Sequence, residues 1–133
     1  MTVTKLFVLL SLGASQVMAA PAALPPELRQ RWERFQNALR ADDPAAIAAL
    51  AKFPIHSNEF GGNIANPKTL KNRYATIFPA ATKKCLTSAT LQPLKGLIGH
   101  YEVYCDVGSY PIRFLFNRIG SHYYFTGIDN INE

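Results

Sequence analysis

The sequence predicts an α+β domain in which N-terminal helices pack on a curved antiparallel β-sheet. Three observations carry that reading. Leu28, Trp32, Phe35 and Leu39 recur at the spacing of one helical stripe. Asp43-Pro44 and Asn66-Pro67 each join a capping residue to a proline suited to a first helical turn. The last part of the chain alternates apolar and polar residues on both sides of Gly108-Ser109, a two-residue hairpin signal. With 133 residues, 48% of them hydrophobic and 17% charged, the chain has the make-up of one globular domain.

The first segment reads as a targeting signal. Lys5 is followed by an apolar run from Leu6 to Ala14 and then by Val17-Met18-Ala19-Ala20. A basic start, an apolar middle and small residues at the end form the pattern of a secretory signal peptide, here residues 1–20 with cleavage after Ala19 or Ala20. The run is about half of the ~20 residues that a spanning helix needs. A retained anchor or a buried first helix is the alternative. Export predicts a periplasmic or secreted protein, with no transmembrane segment after processing.

Residues 21–25 form an extended Pro/Ala leader, and 26–133 form the single domain. The first helix runs from Pro26 to Ala41 and turns Arg29, Glu33, Arg34 and Arg40 outward. The second starts at Asp43-Pro44, has Ile47 and Leu50 as its apolar edge, and ends at Phe53-Pro54, because a residue before proline is driven out of helix. Ile55 to Phe60 then reads as a short strand, Gly61-Gly62-Asn63 as a turn, and Ile64 as the start of a return strand. The third helix begins at Asn66-Pro67 and carries Leu70, Tyr74, Ile77 and Phe78. Pro79 interrupts it, and a further turn continues through Lys83 to Leu86. Leu86 to Leu94, broken by Pro93, reads as strand.

His100 to Val107 and Tyr110 to Asn117 are the arms of the hairpin. A two-residue loop sets Val107 opposite Tyr110, Cys105 opposite Ile112, Val103 opposite Phe114 and Tyr101 opposite Phe116. These pairs share one mostly apolar side. Tyr104 with Arg113, Glu102 with Leu115 and His100 with Asn117 share the other. A third strand, His122 to Ile128, follows a turn at Ile119-Gly120 and adds Tyr123 and Phe125 to the apolar side. The helices must cover that side.

Two cysteines are present, Cys85 and Cys105. An oxidising compartment favours their pairing, and the predicted packing brings the end of the third helical region onto the face that holds Cys105. A disulfide closing this ~20-residue loop would contribute on the order of 3 kcal/mol. The formal charge is +5, and loss of Lys5 leaves thirteen cations against nine anions. That is too dilute for a nucleic-acid binder. Lys68, Lys71, Arg73, Lys83, Lys84 and Lys95 form a stretch without acids. It reads either as a solvated basic face or as a docking surface for an acidic partner or an anionic envelope lipid.

The element order, the Phe53-Pro54 strand entry, the Gly61-Gly62 hairpin and the helix ending Tyr74-Ala75-Thr76-Ile77-Phe78 resemble the nuclear transport factor 2-like superfamily of cone-shaped α+β domains. The resemblance covers nearly all of the chain after the leader, and none of these features is a catalytic signature. It implies a small exported bacterial protein in a superfamily that includes isomerases, dehydratases, cyclases and transport adaptors. Its enzymes place an Asp, Glu or His inside the cone.

The predicted interior of this chain offers no such group on the sheet. Tyr101, Val103, Phe114, Phe116, Tyr123 and Phe125 are the expected ligand-lining residues, while Glu102, Asp106, His100 and Arg113 fall outside. His56 and Glu59 near the early turn are the remaining acid/base candidates, with Tyr101 or Tyr123 as a phenol partner. His100, Asn117 and His122 are expected to share an outer row, but two imidazoles without a third ligand make a weak metal site, and no metal or cofactor is expected. No phosphate loop, GxSxG or HExxH motif occurs. The expectation is an exported, non-catalytic binding domain for a small apolar ligand or a protein partner. The alternatives are a small lyase or isomerase with its acid/base site in the cone, and an immunity or inhibitor protein.

Overall fold

The computed structural model describes residues 23–108 and 111–131. The expected signal peptide, its cleavage point, and Ser109 and Tyr110 of the hairpin tip lie outside them.

Among the described residues, four helices pack on a five-stranded curved sheet. The order along the chain is α1 (Pro26–Arg40), α2 (Pro44–Ala49), β1 (Ala51–Ser57), α3 (Pro67–Ile77), α4 (Ala80–Ser88), β2 (Gln92–Pro93), β3 (His100–Cys105), β4 (Ile112–Ile119) and β5 (His122–Asn130). The sheet order is β1-β5-β4-β3-β2. Local chemistry sets the helix starts as the caps predict. Asp43 accepts a hydrogen bond from the Ala46 N–H at 3.1 Å, and Asn66 accepts one from the Thr69 N–H at 2.9 Å. The stripe of α1 buries Leu28, Trp32, Phe35, Ala38 and Leu39.

The hairpin register is the expected one. Tyr101 pairs with Phe116, Val103 with Phe114, and Cys105 with Ile112, all on the helix-covered side. Glu102 pairs with Leu115, Tyr104 with Arg113 and His100 with Asn117 on the other. Cys85 and Cys105 are joined, with their Cα atoms 6.0 Å apart.

Five expectations are corrected. The second helix stops at Ala49, short of Phe53-Pro54, because Leu50 O accepts from the Phe125 N–H at 2.9 Å and the chain passes into β1. The strand expected over 55–60 therefore runs from Ala51 to Ser57. Its register shifts between Ala51 and His56, which accommodates Pro54, a residue with no N–H for the ladder. The sheet is not wholly antiparallel, since β1 runs parallel to β5. A chain that enters the sheet from α2 and leaves through α3 has the crossover length that parallel pairing needs. The return strand at Ile64 is a single bridge to Ile55. Finally, Leu86 belongs to α4, and only Gln92 and Pro93 of the expected 86–94 strand pair with β3.

Gly127 leaves room for the Leu115 side chain: a Cβ there would stand 3.0 Å from Leu115 Cδ1. A bulge between Leu115 and Phe116 shifts β4 against β5 at the same place.

Candidate functional site

The space between the helices and the sheet is occupied by the protein's own rings. Phe35, on the inner stripe of α1, has its ring centroid 5.1 Å from those of Phe116 and Phe125 and 6.1 Å from that of Phe78. Trp32 meets Phe116 edge-on at 5.5 Å, and Phe78 stacks on Phe114 at 5.8 Å. Edge-to-face and offset-stacked contacts at these distances are favourable beyond the area they bury. Val103, Phe114, Phe116, Tyr123 and Phe125, five of the six residues expected to line a ligand space, belong to this core. Tyr101, the sixth, packs partly buried against it, with its ring centroid 5.9 Å from that of Tyr123. Burial, and then the neighbouring Tyr123, raises the Tyr101 phenol above its ordinary range.

The acid/base candidates do not gather. His56 is exposed on β1. Glu59 is half-buried beyond the end of β1 and accepts from the Asn130 side-chain amide at 3.0 Å. Asn130 ends β5, whereas Tyr123 lies near its start. Seven residues of strand separate the two, roughly 23 Å at ~3.3 Å per residue. The structure therefore brings Tyr101 to Tyr123 and Glu59 to Asn130, and sets these pairs at opposite ends of the sheet.

The outer face of the sheet carries the polar set. Arg113 donates to Asp129 at 2.8 Å and to Glu102 at 3.4 Å. The Asp129 bond, followed by the opposing cost of burial, keeps the guanidinium above its ordinary range. These charges are matched within the sheet itself. His100 and Asn117 do share the outer face, while His122 is held by Glu27 of α1 at 2.8 Å. Among the described residues, no three His, Cys, Asp or Glu side chains converge as a metal site would require.

Among the described residues, one concavity outside the core is an open groove of about 460 Å³ between α1 and α2. Ala38, Ala41, Ala46, Ala49 and Leu50 supply its apolar surface, and Arg31, Arg34, Asn37 and Asp43 supply its polar one. The groove exists because α2 is built of alanines and lies close to α1 without filling the gap between them. Arg31 stacks its guanidinium over the Tyr124 ring at 5.1 Å, and its Nε is buried without a hydrogen-bond partner. Asn37 Oδ1 accepts from Arg40, and Asp43 caps α2, so both are held from within. Sequence periodicity places Arg34 on the outer face of α1, but the groove depends on how α2 folds back.

No protein-family model matches the chain, and no curated protein does. Solved structures do align with it. An NTF-2 like protein of unknown function from Shewanella oneidensis MR-1 is 14% identical, covering 77% of this chain and 94% of its own, with a TM-score of 0.45. A protein of unknown function with a cystatin-like fold from Nostoc punctiforme PCC 73102 is 14% identical, covering 78% and 86%, with a TM-score of 0.47. A de novo designed protein with curved beta-sheet is 16% identical, covering 77% and 94%, with a TM-score of 0.43. None of these likenesses assigns a role to a residue of this chain.

Proposed function

We propose that this chain is an exported, non-catalytic binding domain whose α1–α2 groove takes a small ligand with an apolar body and an anionic end. The observation that carries this reading is the groove itself: an alanine-lined apolar surface beside Arg31 and Arg34, with one buried guanidinium nitrogen lacking a partner. An apolar cleft with a few charged groups at its edge is the usual form of a small-molecule site. A guanidinium is suited to a carboxylate or phosphate because its fork of donors matches two acceptor oxygens. The sheet residues Tyr101, Val103, Phe114, Phe116, Tyr123 and Phe125 are the expected ligand lining from sequence. The proposal moves it to the groove because the core rings already pack against one another.

Export belongs to the same proposal and draws support from the Cys85–Cys105 bond, which persists in oxidising compartments. Among the described residues, no helix is long and apolar enough to cross a membrane. The acid/base alternative has less support, since His56 faces water and Glu59 is distant from the tyrosines.

Titration with decanoate, followed by amide chemical shifts, tests the proposal. Shifts should cluster on α1 and α2. Arg34→Gln should weaken binding about tenfold, the loss expected of one charge-assisted hydrogen bond. Ala46→Phe should block the groove in a chain that stays folded by circular dichroism. Equal affinity for decanol, or shifts confined to the sheet, would overturn it.

A further inference from the structure

We propose that the end of the sheet formed by residues 94–99 and 118–121 docks reversibly on an anionic lipid bilayer. The observation is a concentration of apolar side chains in water at that end. Ile98 is 94% exposed, Leu97 52% and Ile119 43%. Isolated exposed apolar residues are ordinary, but a contiguous group on a structured tip is not.

The two segments form one surface. Arg118 N–H donates to Gly99 O at 2.8 Å, tying the β2–β3 loop to the end of β4. Gly99 has φ +81°, and a Cβ on it would stand 3.2 Å from Arg118 Cβ, so glycine permits the approach. Leu94 N–H donates to His100 O at 2.8 Å, and Leu97 exchanges backbone bonds with Leu94 and His100, both 3.2 Å. The loop thus holds Leu97 and Ile98 outward on a braced turn.

Charge selects the occupant. Lys95 and Arg118 are exposed on these segments, and their long stems allow the charged ends to stay at headgroup level while the aliphatic tips enter. The nearby acid is Glu27 at the start of α1, and it is held by His122 at 2.8 Å. The opposite end of the sheet also exposes apolar residues, Val107 and Ile131, but the exposed charge beside Val107 is the acid Asp106. An anionic surface would be attracted to the first end and repelled by the second. The Glu27–His122 bond also places the start of α1 at the docking end. Two cations and three aliphatic side chains give weak attachment, consistent with reversible docking. This proposal is independent of the groove and stands or fails separately from it.

The test uses the full chain with Ile98→Trp as a reporter, because the native Trp32 is only 4% exposed and supplies a subtractable background. The vesicles are phosphatidylcholine alone or an equal mixture with phosphatidylglycerol, each with brominated acyl chains. In the mixed vesicles the reporter indole should shift to the blue and be quenched by bromine. Adding Lys95→Gln and Arg118→Gln should weaken that partitioning about tenfold or more, given ~1 kcal/mol per cation at an anionic surface. A reporter that stays open to acrylamide while residues 1–20 hold the chain on the vesicle would overturn the proposal. So would equal quenching in phosphatidylcholine alone. Protection of the reporter by a protein partner, with no change on vesicles, would also overturn it.

Discussion

Cys85, on α4, is bonded to Cys105 at the end of β3, and the two residues differ sharply in exposure. Cys105 is 1% exposed, while Cys85 is half-buried. The bond fastens α4 to the sheet across 20 residues of sequence. Loss of a loop of this length removes about 3 kcal/mol in the chain-entropy account, or roughly 10–20 °C in Tm for a domain of this size. Cys85→Ser should show that loss alone. Cys105→Ser should melt lower still, because it also leaves a hydroxyl in the core. The double variant should match Cys105→Ser, since the bond can be lost only once. Thermal melts of the three variants check the order, and additive losses would refute the account.

Gln36 binds the end of a different helix. Its side-chain amide donates to Leu86 O at 3.0 Å, Thr87 O at 3.3 Å and Ala89 O at 3.2 Å, while Trp32 Nε1 donates to Ala89 O at 3.2 Å. The last carbonyls of α4 have no intrahelical donors, so α1 supplies them. Gln36→Leu should cost about 1–3 kcal/mol, the range for acceptors left unmet. Gln36→Glu should cost more at neutral pH, because a carboxylate would face carbonyl oxygens. Urea denaturation at constant pH measures both.

Phe35 is the centre of the core, fully buried among Trp32, Phe78, Phe116 and Phe125. Phe35→Ala should destabilise by about 3–5 kcal/mol. It should also create a dry apolar cavity that binds benzene, which the native protein should not. Benzene binding of equal strength in both would show that the interior already holds space.

Asp42 gives the fold an acid-sensitive joint. One carboxylate oxygen accepts from Lys83 Nζ at 2.7 Å and from the Tyr74 hydroxyl at 2.9 Å. Those bonds, Lys83 first, hold the carboxyl below its ordinary range. A lowered folded value means that the contribution is complete above the ordinary carboxylate range and fades as pH falls through the lowered value. Asp42→Asn should therefore flatten that part of the acid limb. The substitution suits the backbone, because Asp42 has φ 48° and asparagine also tolerates the left-handed region. Melts from about pH 2 to about pH 7 compare the two chains. An unchanged acid limb would remove Asp42 from the account.

Much of the architecture was legible in residue order. The capped starts at Asp43 and Asn66 were readable because a cap is a contact over three residues. The sidedness of β3 and β4 was readable because a tight hairpin carries one register along both arms. The α1–α2 groove was not readable, since Arg31, Arg34 and Ala46 line one surface only when α2 folds against α1. The clustering of Leu97, Ile98 and Ile119 was missed for the same reason.

By itself, the sequence determined where the helices start, how β3 pairs with β4, and which of their faces is apolar. Only the tertiary structure decided that β1 lies parallel to β5, that Phe35 fills the interior and that Gln36 serves the end of α4. The physical reason is range. Periodicity, caps and hairpin register are set by neighbours a few residues apart, whereas ring packing, remote carbonyl donors and parallel pairing depend on where distant segments meet after collapse.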